Sequence, residues 1–179
     1  MSLNKNDCKR IILGTAQWGL DYGVSNTQGA TSSREVGKIL KRASIAGVSI
    51  LDTAPGYGNS EAKIGENARG HFDVITKIPR LAEFRSIDNK VKAIQHSLQR
   101  SISDLGVENL FGLLFHDADD LLEDNSDLLV SELNRLKSEG FIKNIGVSVY
   151  SGDQIDSIID VFIPDIVQVP LNILDQRLI

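Results

Sequence analysis

Arg10-Ile11-Ile12-Leu13-Gly14-Thr15-Ala16-Gln17-Trp18-Gly19 is the stretch whose reading decides the fold. A β-branched apolar run that gives out at a glycine reads as a buried strand, and the spacing of the next glycines separates two architectures. An open dinucleotide-binding sheet carries Gly-x-Gly-x-x-Gly straight after its first strand. Here the spacing from Gly14 to Gly19 is different, and a closed parallel barrel is favoured.

Five more short apolar runs lie downstream, Val48 to Leu51, Phe72 to Thr76, Leu110 to Phe115, Ile142 to Ser148 and Asp165 to Val169. Between them lie stretches with helical spacing, such as Val36, Ile39, Leu40, Ala43 and the longer series Ile87, Val91, Ile94, Leu98, Ile102, Leu105, whose steps of three and four residues put one face against a sheet. Ser32 with Glu35 and Ser151 with Gln154 read as capping boxes, and Gly47, Gly106 and Gly140 as helix stops. Strand and helix alternate without a hairpin signal, which implies parallel strands joined by right-handed crossovers.

The expected fold is therefore α/β, a parallel (β/α)8 TIM barrel. A whole barrel needs eight units in about 250 residues; the 179 residues here supply six strand runs, about six of the eight units, in one domain over 1–179 that is incomplete at its C-terminal end. Such a sheet should expose an edge and part of its apolar inner face. A longer polypeptide or an oligomer mate is expected to complete it. Leu20 to Thr31 reads as one long loop at the functional end of the barrel.

Composition narrows the function classes. A net charge of -5, with Lys and Arg scattered, gives no footprint for nucleic acid or an anionic membrane. The single cysteine, Cys8, has no internal disulfide partner and suits a reducing compartment. Met1 to Lys9 hold no apolar segment of the signal-peptide kind, and no stretch reaches the length of a membrane span. A cytoplasmic protein is expected.

Four polar side chains stand where the runs give out: Asp52 after Leu51, Tyr57 just beyond it in Pro55-Gly56-Tyr57-Gly58, Lys77 after Thr76 and His116 after Phe115. Strand C-terminal ends are where a barrel does its chemistry. Carbonyl reduction needs a proton donor, a group that tunes it and a hydride source. A free phenol titrates at about 10, so Tyr57 suits the donor role once an ammonium such as Lys77 stabilises its phenolate. Asp52 suits holding Lys77, and His116 suits orienting the carbonyl.

Each residue also has a plainer reading. Asp52 organises a turn, Tyr57 is a turn aromatic, Lys77 reaches out to water, Trp18 is packing, and Ser148 and Gln168 satisfy backbone groups. Asp117, Asp119 and Asp120 beside His116 invite a metal, yet His71 and His96 are not at ligand spacing and acids suit the start of a helix, so no metal is expected. Lys77 as a Schiff-base nucleophile is a further alternative.

Leu51-Asp52-Thr53-Ala54, Gly56-Tyr57-Gly58-Asn59-Ser60-Glu61, Thr76-Lys77, Phe115-His116 and Ile145-Gly146-Val147-Ser148 resemble the signatures of the aldo-keto reductases, in the family's order, from Leu13 to Gln168. The resemblance implies an NAD(P)H-dependent oxidoreductase that reduces an aldehyde or ketone, sugar-like in one reading, to an alcohol. It makes Tyr57 the general acid/base, Lys77 and Asp52 its tuning pair and His116 the orienter. It also implies NADP(H), with NAD(H) not excluded, held by Gly14, Thr15, Asp52, Ser148 and Gln168, and a small carbonyl substrate bordered by Trp18, Tyr57 and His116. Val149 stands where many relatives carry asparagine, and the family's nicotinamide-stacking aromatic and 2'-phosphate loop belong to units beyond Ile179. The alternative is a catalytically impaired nucleotide-binding or regulatory module of the same ancestry.

Overall fold

A computed structural model describes residues 11–178; the expectations for Cys8, Arg10 and the first nine residues lie outside the described residues. Six strands form, β1 (Ile12–Gly14), β2 (Ile50–Asp52), β3 (Asp73–Ile78), β4 (Leu110–Phe115), β5 (Ile142–Ser148) and β6 (Ile166–Gln168). They belong to one sheet in sequence order, with β1–β2, β2–β3 and β5–β6 in parallel register. This is the strand order of a partial (β/α)8 barrel.

The helices are α1 (Ala16–Gly19), α2 (Ser33–Ala46), α3 (Ser60–Ala68), α4 (Ile87–Leu105), α5 (Ser126–Ser138) and α6 (Gly152–Val161). Ser32 Oγ accepts from the Glu35 amide and Ser151 Oγ from the Gln154 amide, each at 3.3 Å. The reciprocal halves of the expected capping boxes differ: Glu35 pairs with Lys38 at 2.8 Å, and Gln154 Oε1 accepts from the Tyr150 amide, one residue before the cap. Gly47 ends α2 at a φ of 93°, a left-handed conformation that glycine enters without a side-chain clash. The four-residue α1 carries too little sequence to show a period.

Two boundaries differ from those the apolar runs predict, in a way that matters to the site. β2 includes Asp52, and β3 runs on through Lys77 to Ile78 instead of stopping at Thr76. In α4 the buried stripe is Lys90, Ile94, Leu98, Ser101 and Leu105, with Ile87, Val91 and Ile102 half-buried beside it. Two polar residues thus sit in an apolar stripe, and both have partners: Ser101 bonds Glu61, and Lys90 pairs with Glu123.

The described residues fall into two compact units, 11–76 with 99–110 and 77–98 with 111–178. In the first, Val36, Leu40, Leu51, Ile64, Ile75 and Leu105 are buried; in the second, Leu113, Phe115, Leu129, Leu133 and Val147. Each such side chain contributes about 1.5–3 kcal/mol of transfer free energy. Gly65 lets α3 lie against the end of α4, since a Cβ there would stand 2.0 Å from the Asp104 carbonyl oxygen. β1 and β6 are the terminal strands in the order, and Ile12 and Val167 on them are 47% and 41% exposed. Among the described residues no helix is long and apolar enough to cross a membrane.

Candidate active site

In the first unit, β1 and β2 set Gly14 beside Asp52 in register. The Thr15 amide and hydroxyl both donate to the Asp52 carbonyl, at 3.0 and 2.9 Å. Ser60 Oγ, at the start of α3, donates toward Thr15 Oγ1 at 2.8 Å, and Thr53 Oγ1 donates to Ser60 Oγ at 3.3 Å. These hydroxyls are buried, so each bond counts for more than it would in water. Together they fix the end of β2 to the start of α3, and the Tyr57 turn lies between those two points.

That turn is closed by the Tyr57 amide on the Ala54 carbonyl at 2.9 Å and the Ser60 amide on the Tyr57 carbonyl at 3.1 Å. Gly58 takes a φ of +61°, and Gly19 of α1 lies against the Tyr57 carbonyl. Tyr57 and Asp52 are both half-buried and border one cavity of about 520 Å³, together with Gly14, Thr15, Trp18 and Tyr22. A cavity of that size lies within the usual range for small-molecule sites. Gly14 faces open space, with nothing within 4 Å of where a Cβ would be. Thr15 is 1% exposed and its hydroxyl is already engaged, so its share of the wall is largely backbone. Trp18 is 4% exposed and packs at the cavity edge.

In the second unit, Lys77 lies in β3 and is 2% exposed. It is therefore no strand-end lysine reaching for water, and an ammonium so placed is costly unless compensated. His116 directly follows β4 and is half-buried. The acids after it organise the chain: Asp117 caps the 3-10 turn Ala118–Leu121 by accepting from the Asp119 amide at 3.1 Å and also pairs with Arg80 at 2.7 Å. Both Asp120 oxygens accept from the Leu81 amide, at 3.1 and 3.0 Å. Burial pushes the Asp120 carboxyl up despite that bond. No group of three or more metal-ligating side chains comes together among the described residues.

Ser148 and Gln168 end β5 and β6 and are register partners, so the two residues share one level and one face of the sheet. Val149, the departure from the family pattern, is fully buried and borders an apolar cavity of about 180 Å³ with Ile158 and Val167. In this chain that position serves packing.

Glu61 is a residue to which its place in the sequence assigns no task. It is 4% exposed in the first turn of α3, accepting from Thr76 Oγ1 at 2.7 Å and Ser101 Oγ at 3.1 Å. Burial raises its carboxyl above the ordinary value, against the opposing effect of the two hydroxyls. The signal for it is Ser101, a hydroxyl in the apolar stripe of α4. The first unit thus gathers a carboxylate, a phenol and an open glycine at one cavity. The second carries a buried ammonium, an imidazole and a donor–acceptor pair at strand ends.

The sequence profile of the aldo/keto reductase family matches residues 10–178. D-arabinose 1-dehydrogenase of Saccharomyces cerevisiae is 32% identical over 128 residues, 64% of this chain and 36% of that protein. A Pseudomonas aeruginosa structure assigned as an aldo-keto reductase superposes with a TM-score of 0.75 at 26% identity, over 93% of this chain and 64% of that one. The Bombyx mori aldo-keto reductase solved in complex with NADP gives 0.66 at 23% identity, over 90% and 54%, a likeness of fold. The chain thus spans less than two thirds of the length of each of these proteins.

Proposed function

The chain belongs to the aldo/keto reductase family, and from that membership we propose that the protein is an NAD(P)H-dependent oxidoreductase that reversibly reduces a small aldehyde or ketone to an alcohol. The observation that carries the proposal is the cavity that Asp52 and Tyr57 border together. A sugar-like substrate draws support from the likeness to D-arabinose 1-dehydrogenase.

In this reading Tyr57 gives its phenolic proton to the carbonyl oxygen in the reductive direction and takes it back in the oxidative one. The family's pattern assigns Lys77 the stabilising of the phenolate, which lowers the cost of that transfer, Asp52 the tuning of that lysine and His116 the hydrogen bond to the carbonyl oxygen. Trp18 borders the substrate.

The donor set suits a nicotinamide cofactor. A carboxamide offers one acceptor and two donors, and the register partners Ser148 and Gln168 supply a complementary hydroxyl and amide. Gly14 leaves room for a close approach of backbone to ligand. When bound, the nicotinamide supplies the hydride that goes to the carbonyl carbon. NADP(H) is the proposed cofactor, and NAD(H) fits the same groups.

The test uses the full-length protein: NADPH titrated by fluorescence, then oxidised in the presence of a panel of aldehydes and aldoses. Saturable cofactor binding with carbonyl-dependent oxidation supports the proposal. Binding without oxidation across the panel counts against it and favours a nucleotide-binding module.

A further inference from the structure

The loop between α1 and α2 borders the cavity through Tyr22 and Gly23, yet no residue from Asp21 to Ala30 is buried. Tyr22 is 60% exposed and Val24 fully so. A loop without an apolar anchor takes its place from polar bonds. One side chain ties the two ends of the loop to α3.

Lys63, half-buried in α3, donates through Nζ to the Trp18 carbonyl at 2.6 Å and to the Thr31 carbonyl at 2.7 Å. The first acceptor sits in the last turn of α1, where carbonyls lack helical partners and a cation is favoured. The second stands just before the Ser32 cap of α2. One ammonium therefore reaches both ends of the loop, and the Thr31 amide adds a third tie to the Gln17 carbonyl at 2.9 Å. Within the loop, Gln17 Nε2 and Asn26 Nδ2 both donate to the Tyr22 carbonyl, at 2.9 and 3.2 Å.

We infer that Lys63 is a positioning residue for the carbonyl pocket, a clasp that fixes the loop from Leu20 to Thr31, and Tyr22 with it, at the cavity bordered by Tyr57. The inference rests on the proposed function in that it names the site as the place where the carbonyl binds. Lys63 acts through the loop: without its ammonium, two carbonyls must find water, and both ends of the loop that carries Tyr22 lose their tie to α3. The docking of α2 on α3 has independent ties, Ser33 Oγ to Glu66 at 2.9 Å and Asn67 Nδ2 to Ser33 Oγ at 2.9 Å, so the fold survives the loss.

Lys63→Met in the full-length protein should raise KM for the carbonyl substrate on the order of tenfold, with kcat within about twofold, because ground-state and transition-state binding are weakened alike. Lys63→Arg, which keeps a charge and several donors, should restore most of the loss. Hydrogen exchange should quicken at the amides of Tyr22 to Thr31 in the Met variant while β2 stays protected. Unchanged KM and unchanged loop exchange in a folded Met variant would overturn the clasp, as would a fall in kcat that Arg does not rescue. If the wild-type protein reduces no carbonyl, the proposed function fails on its own, and the exchange measurement alone decides whether Lys63 holds the loop.

Discussion

Gly19 lies so close to Tyr57 that a methyl group on its α-carbon would stand 1.7 Å from the Tyr57 carbonyl oxygen. α1 thus braces the turn that presents the phenol, by backbone against backbone, where neither side has a flexible tip to move aside. Gly19→Ala must displace one of the two. A shift of about 1 Å at a reacting group costs on the order of 10²-fold in rate, so the variant should lose roughly that much kcat while keeping most of its secondary structure. Steady-state turnover assays beside circular dichroism check this; an Ala variant with wild-type kcat would show that the turn tolerates movement.

Glu61 ties α3 to Thr76 of β3 and Ser101 of α4, and burial raises its carboxyl above 4.5. The folded state therefore holds this proton more tightly than the unfolded chain does. Its contribution to stability is full below 4.5 and is lost as pH climbs through the raised folded value. Glu61→Gln, which keeps the shape and an acceptor, should match the wild type at acid pH and gain on it as pH rises across that window. Urea unfolding of both proteins at a series of pH values measures the difference; a constant offset would mean that Glu61 ionises normally.

Asp120 takes the Leu81 amide with both oxygens, and Leu81 is fully buried. Asp120→Ala leaves that N–H without its acceptor, at a cost of about 1–3 kcal/mol. The midpoint of urea unfolding should fall with little change in slope. An unaltered midpoint would mean that water reaches the amide.

Much of the fold is legible in period and punctuation. The six runs become six strands in sequence order because each is short, apolar and separated from the next by a helical stretch, some of these marked by a cap such as Ser32 or Ser151 or a stop such as Gly47. Lys77 marks where such legibility ends: a lysine closes an apolar run in the sequence, but β3 carries it to 2% exposure, and burial of an ammonium depends on partners that local sequence does not name. Glu61 stands inside a family motif without an evident role, because the hydroxyl that explains it, Ser101, lies forty positions on. The family resemblance implies Thr15 as cofactor lining, whereas its hydroxyl is spent on the Asp52 carbonyl. Hydrogen-bond saturation of this kind is invisible to a pattern of residue types. The adjacency of Ser148 and Gln168 is legible, since parallel register carries the ends of neighbouring strands to the same level.

The most direct measurement is the kinetics of Tyr57→Phe in the full-length protein, with NADPH affinity determined alongside. Removing one oxygen deletes the proposed proton donor and leaves the ring in place, so kcat for carbonyl reduction should fall on the order of 10²–10⁴-fold while the cofactor Kd stays within about twofold. A phenylalanine variant that turns over aldehyde at the wild-type rate would contradict the assignment of Tyr57 as the acid.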